Sequence, residues 1–88
     1  MSRSLYRVEF KPSAARVLRK LDADNQRRVI ARIETLAENP RPPGAEKLEG
    51  MRDLYRIRVG DYRVLYEVAD AVETITVIKI GNRRDVYR

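Results

Sequence analysis

From Tyr55 to Tyr66 the chain reads YRIRVGDYRVLY, apolar and basic positions alternating on either side of Gly60-Asp61. Two strands joined by a two-residue turn account for this pattern. Val59 then pairs with Tyr62, Ile57 with Val64, and Arg58 with Arg63. One face of the hairpin carries Tyr55, Ile57, Val59, Tyr62, Val64 and Tyr66, and Val68 continues it. The other face sets Arg58 opposite Arg63, with Arg56 on the diagonal. Like charges facing each other across strands are unfavourable by up to about 1 kcal/mol. Such a face needs water or an anion to complete it.

The remaining pattern predicts the elements around this hairpin. Ser4 to Phe10 alternates as a strand, with Tyr6, Val8 and Phe10 on one face. Pro12 suits the first position of a helix, in which Ala14, Leu18 and Leu21 recur at helical spacing. Asp22 or Asp24 can cap a second helix, where Val29, Ile33 and Leu36 repeat and which Asn39-Pro40 ends. Residues 40–52 hold three of the four prolines and two of the four glycines, and read as a loop. Glu73 to Ile80 is rich in β-branched residues and reads as a central strand, with Gly81-Asn82 expected to break it. The order β-α-α-β-β-β predicts an α+β fold, a helical hairpin packed on one face of a small antiparallel sheet. The helices should cover the apolar side of the 55–68 hairpin and leave its arginine side open.

Composition narrows the chemistry. The 88 residues suit one domain, 1–88, and carry a net charge of +6, which favours an anionic partner. With no cysteine, disulfides and thiolate chemistry are excluded. The sequence offers no apolar run of membrane-spanning length and no signal-like N-terminus, so a cytoplasmic protein with no membrane partner is expected. Histidine is also absent, which removes the commonest general base and the commonest metal ligand. No metal cluster or phosphate-binding glycine loop is legible, and no cofactor is expected.

Clustered arginines bind phosphate bidentately and keep their charge at all accessible pH values. The closing segment adds Arg83, Arg84, Tyr87 and Arg88 beyond the last predicted strand. A phosphodiester would fit this setting. Cleaving RNA needs a base for the 2′-OH, charge against the five-coordinate phosphorus and a proton for the leaving oxygen. Arginine supplies the second and is a poor base, its pKa lying above about 12. Tyr87 is the best-suited titratable group nearby, since surrounding positive charge favours its phenolate. Glu67 and Asp85 remain alternatives. Arg16, Arg19, Lys20, Arg27, Arg28 and Arg32 fit a solvated helix face. Most of these, with Lys47 and Arg84, are candidate contacts to RNA or the ribosome.

Lys47 to Val68, KLEGMRDLYRIRVGDYRVLYEV, followed by VIKIGNRRDVYR, resembles the RelE branch of the RelE/ParE toxin superfamily. The resemblance covers nearly the whole chain. It implies a toxin of a type II toxin–antitoxin system that enters the ribosomal A site and cuts mRNA without a metal. The ends implied are a 2′,3′-cyclic phosphate and a 5′-hydroxyl. Arg56, Arg58, Arg63, Arg83 and Tyr87 fall on the family's functional positions, with Arg63 stabilising the transition state. The implied partners are a cognate antitoxin in a hetero-oligomer, the ribosome and mRNA. Some members carry lysines where Arg56 and Arg58 stand, which moves the base role toward Tyr87. A C-terminal helix of some relatives has no counterpart after Arg88. Relatives of the ParE type instead poison DNA gyrase without catalysis, and a basic RNA-binding domain that has lost activity is a further alternative.

Overall fold

The computed structural model describes residues 5–48, 50 and 53–82. The chain begins with strand β1 (Arg7–Phe10) and helices α1 (Pro12–Lys20) and α2 (Ala23–Glu38). Strands β2 (Glu46–Lys47), β3 (Leu54–Val59), β4 (Tyr62–Ala69) and β5 (Thr74–Asn82) follow, with one 3-10 turn over Asp70–Val72. Pro12 opens α1, where its missing N–H costs nothing. Asp22 rather than Asp24 caps α2: its carboxylate accepts from the Asn25 backbone N–H at 3.3 Å and from Asn25 Nδ2 at 2.7 Å. The Asn25 side chain holds that carboxyl below its usual range.

The strands form one sheet in the order β1-β5-β4-β3-β2. The α+β class and the helical hairpin are as expected, and the β3–β4 register is the expected one throughout, Arg58↔Arg63 included. Gly60 takes φ 59° while Asp61 keeps negative φ, the pattern of a II′ turn with glycine first.

Long-range pairing changes three details. First, β1 runs parallel to β5, so the sheet is mixed rather than wholly antiparallel. The β3–β4–β5 meander fixes the direction of β5, and β1 docks on its free edge. There the Arg7 N–H donates to the Glu73 carbonyl and the Lys11 N–H to that of Val77. Second, Glu46 and Lys47 within the proline-rich loop form a short edge strand on β3. Third, Gly81-Asn82 does not break β5, because Arg63 and Tyr62 of β4 pair with these residues and override their poor strand propensity.

The core lies between the helices and one face of the sheet. Val29, Ile33 and Leu36 of α2 pack with Ile57, Val64, Tyr66, Val68, Ile75, Val77 and Ile80, all buried. On β5 the buried positions run 75, 77, 80. The step of three comes from a β-bulge where Leu65 pairs with Lys79 but Tyr66 pairs with Val77. Tyr66 is fully buried, and its hydroxyl donates to the Pro40 carbonyl at 2.7 Å. Burial pushes that phenol up to about 12.

The proline-rich loop is anchored at a second point. Arg41 donates to both carboxylate oxygens of Asp70, at 3.2 and 2.8 Å, and through Nε to the Tyr55 hydroxyl at 2.8 Å. Its guanidinium also sits over the Tyr55 ring, itself stacked on Tyr66. The Tyr6 hydroxyl donates to Asp70 at 2.6 Å. These contacts fix the loop that delivers β2 to the edge of the sheet. No helix among the described residues is long and apolar enough to cross a membrane.

Candidate nucleic-acid interface

The sheet face turned away from the helices is where the charge collects. Strand alternation places Arg56 and Arg58 of β3 there beside Arg63 of β4. A cleft of about 250 Å³ is lined by Arg56, Arg58 and Arg63, together with Gly44, Glu46 and Ile57. Three of the expected site residues are thus brought together at one cleft. Arg63 Nε is buried, so its guanidinium is rooted in the sheet rather than free in solvent. Gly81 stands directly opposite Arg63 on β5 and contributes no side chain to crowd it.

One carboxylate enters this basic site. β2 pairs Glu46 with Arg56, and Arg56 Nε donates to the Glu46 carboxylate at 2.7 Å. The Arg56 side chain is 20% exposed and that of Glu46 63% exposed. A charge-assisted bond at Nε fixes the plane in which a guanidinium lies. Glu46 therefore orients Arg56, a role the sequence did not reveal because a two-residue edge strand has no periodicity to detect. Gly44, which lines the cleft, has φ 97°, a conformation suited to glycine. Arg32 approaches it from α2, its Nη2 lying 3.8 Å from where a Cβ would stand.

The candidates on the helices and Lys47 fall elsewhere. Arg83, Arg84 and Tyr87 lie outside the described residues. Arg16, Arg19, Lys20, Arg27 and Arg28 are exposed on the helices and do not line the cleft. Arg27 pairs with Asp24. Arg28 reaches the hairpin turn, with Nη1 3.8 Å from the position of a Cβ on Gly60. Lys47 sits opposite Tyr55, in register with the core side rather than the arginine side. Glu67 is on the open face but four residues along β4 from Arg63, roughly 13 Å at strand rise, and does not line the cleft. Among the described residues no group of acidic side chains could hold a metal ion.

A small α+β fold thus carries three guanidinium groups at one cleft of its open sheet face, a chemistry suited to phosphate. Residues 8–87 match the family described as "ParE toxin of type II toxin-antitoxin system, parDE". A "Putative RelE-like toxin protein" of Escherichia coli is 35% identical over 86 residues, covering 93% of this chain and 90% of that one. The mRNA interferase toxin RelE of Escherichia coli strain K12 is 33% identical, with the same shares covered. The archaeal RelE–RelB complex from Pyrococcus horikoshii OT3 superposes with a TM-score of 0.82 at 33% identity, over 93% of this chain and 99% of that chain. The chain belongs to the RelE/ParE family of type II toxin–antitoxin toxins.

Proposed function

We propose that this protein is a ribosome-dependent mRNA endonuclease, acting as one toxin domain in the cytoplasm. The observation that carries the reading is the cleft in which Arg58 faces Arg63 with Arg56 beside them. In such a site the 2′-oxygen of an mRNA nucleotide attacks the adjacent phosphorus. Arg63 and Arg58 stabilise the charge that gathers on the non-bridging oxygens of the five-coordinate transition state, and Arg56, held by Glu46, orients the phosphate. The bond to the 5′-oxygen breaks, leaving a 2′,3′-cyclic phosphate and a 5′-hydroxyl. Charge comes from guanidinium groups that cannot lose their protons, and no metal is needed in this scheme.

The 2′-hydroxyl must also lose a proton and the 5′-oxygen gain one. Tyr87 is assigned proton transfer and Arg83 a further share of the charge. Supporting this, both follow closely in sequence on Gly81, which pairs opposite Arg63. The ribosome supplies substrate orientation that a shallow cleft on an 88-residue chain does not. A cognate antitoxin silences the toxin in a hetero-oligomer by covering the arginine face or displacing the Tyr87 segment; the relative from Pyrococcus horikoshii was solved as a RelE–RelB complex.

Primer extension on a message under translation in a purified system tests this reading. Wild type should give discrete cuts in the A-site codon, with 5′-hydroxyl ends that polynucleotide kinase labels directly, and Tyr87→Phe should lose them. An intact message at protein concentrations that arrest growth, with stabilised gyrase–DNA cleavage complexes, would replace this reading with gyrase poisoning.

A further inference from the structure

The alternation along β5 is broken once, and the break changes which side chain faces the arginines. Thr74-Ile75-Thr76-Val77-Ile78-Lys79-Ile80-Gly81 begins as a regular strand with Ile75 and Val77 in the core. Continued without interruption, the period of two would bury Lys79 and expose Ile80 on the opposite side. The bulge between the Tyr66↔Val77 and Leu65↔Lys79 pairs reverses this. Ile80 returns to the core at 3% exposure, and Lys79 faces the open side with its partner Leu65. Bulges commonly re-aim a side chain beside a functional site.

Lys79 therefore shares a face with Arg63. Gly81 is the residue directly opposite Arg63, which makes Lys79 the diagonal neighbour of Arg63. Diagonal neighbours have Cα atoms roughly 7–8 Å apart, within the reach of two long side chains. Gly81 puts no side chain between the two positions. Lys79 stands outside the arginine cleft proper and also lines a second cleft beside Ser13, Ala14 and Val17 of α1, so its stem must reach across the face to the phosphate held by Arg63. We propose that Lys79 is a fourth cation of the RNA site, contacting the same phosphate as Arg63 through its ammonium group. Lysine acts there as a compact point charge with three donors, complementing the planar forks of the arginines. This assignment rests on the open face being an RNA site, and it adds a residue that neither the arginine pattern nor the tyrosine identifies.

The test uses the full chain as wild type, Lys79→Met and Lys79→Arg. Methionine keeps an unbranched stem in a half-buried position, and urea midpoints confirm that all three proteins fold. Binding of a 2′-O-methyl RNA hexamer, which cannot be cut, is measured against salt concentration. Losing one phosphate contact to a single strand should flatten the slope of log K against log salt by about 0.7, and Lys79→Arg should restore it. In the translating system Lys79→Met should slow single-turnover cleavage about 10²-fold, with the half-saturating ribosome concentration unchanged. An unchanged slope, or a change confined to ribosome half-saturation, would overturn the assignment. If wild type cuts mRNA and Lys79→Met cuts as well, the nuclease reading stands and the Lys79 assignment falls. If wild type never cuts but Lys79→Met flattens the slope, the nuclease reading falls and the Lys79 contact stands. Wild type that neither cuts nor binds the hexamer overturns both.

Discussion

The two faces of the β3–β4 hairpin are made of alternate residues on the same strands, yet they answer to different demands. The core face carries Ile57, Val59, Val64, Tyr66 and Val68, all buried under the helices. The open face carries Arg56, Arg58 and Arg63, with like charges directly opposed. The first arrangement lowers the free energy of the folded chain. The second raises it by up to about 1 kcal/mol for a directly opposed pair. A sheet this small tolerates an unfavourable face because apolar burial on the other side outweighs it. The separation has a consequence: damage to the core face should appear as lost stability, and damage to the open face as lost activity with stability kept.

The largest effect is expected on the core face. Ile57→Ala should destabilise the protein by about 3 kcal/mol, a large share of the stability of an 88-residue chain. Urea denaturation would show it, and a midpoint within error of wild type would mean that the hairpin is not the centre of the core. Tyr66→Phe comes next, because it leaves the Pro40 carbonyl without its donor at a cost of about 1–2 kcal/mol. The same variant isolates a pH effect. The Tyr66 phenol is raised in the folded chain from 10.0 to about 12, so folding favours the neutral form. Its contribution is fully present below pH about 10 and is lost as pH rises from there toward about 12. Alkaline urea titrations should show this extra loss in wild type and not in Tyr66→Phe.

A smaller effect of opposite sign sharpens the contrast. Arg58→Gln removes one of the opposed charges and should stabilise the protein by up to about 1 kcal/mol while slowing mRNA cleavage. Equal or lower stability in that variant would show that the arginine face is not under electrostatic strain. The smallest effect concerns the loop anchor. The Arg41 hydrogen bonds, followed by that of Tyr6, hold the Asp70 carboxyl below its usual 3.8. Its depressed value means the contribution is present above about pH 4 and fades as pH falls through the folded-state value. Asp70→Asn should therefore be less stable than wild type at neutral pH, with the gap closing in acid.

Much of this was legible from local signals. The hairpin register followed from Gly60-Asp61 and the alternation around it, and the helical spacing of Val29, Ile33 and Leu36 located the buried stripe of α2. Details that depend on distant partners were not. The Gly81-Asn82 pair looks like a strand breaker until Arg63 and Tyr62 are seen to pair with it. Glu46 gives no sign of strand pairing until the loop, held by Tyr66, Arg41 and Asp70, sets it against Arg56. The parallel docking of β1 depends on an edge created by a strand more than sixty residues later. The bulge beside Lys79 was nearer to legible: Thr74-Ile75-Thr76-Val77 alternates, and the apolar Ile78 breaks the pattern one residue before it.

On this reading the open arginine face performs phosphodiester cleavage, and the charge of Arg63 is not what holds the fold. This is tested most directly by measuring stability and single-turnover mRNA cleavage on the same preparation of Arg63→Ala. The expected result is a urea midpoint at or above that of wild type, with cleavage slower by about 10²–10³-fold. Cleavage at the wild-type rate by the folded variant would contradict it. So would loss of cleavage that tracks loss of folded protein.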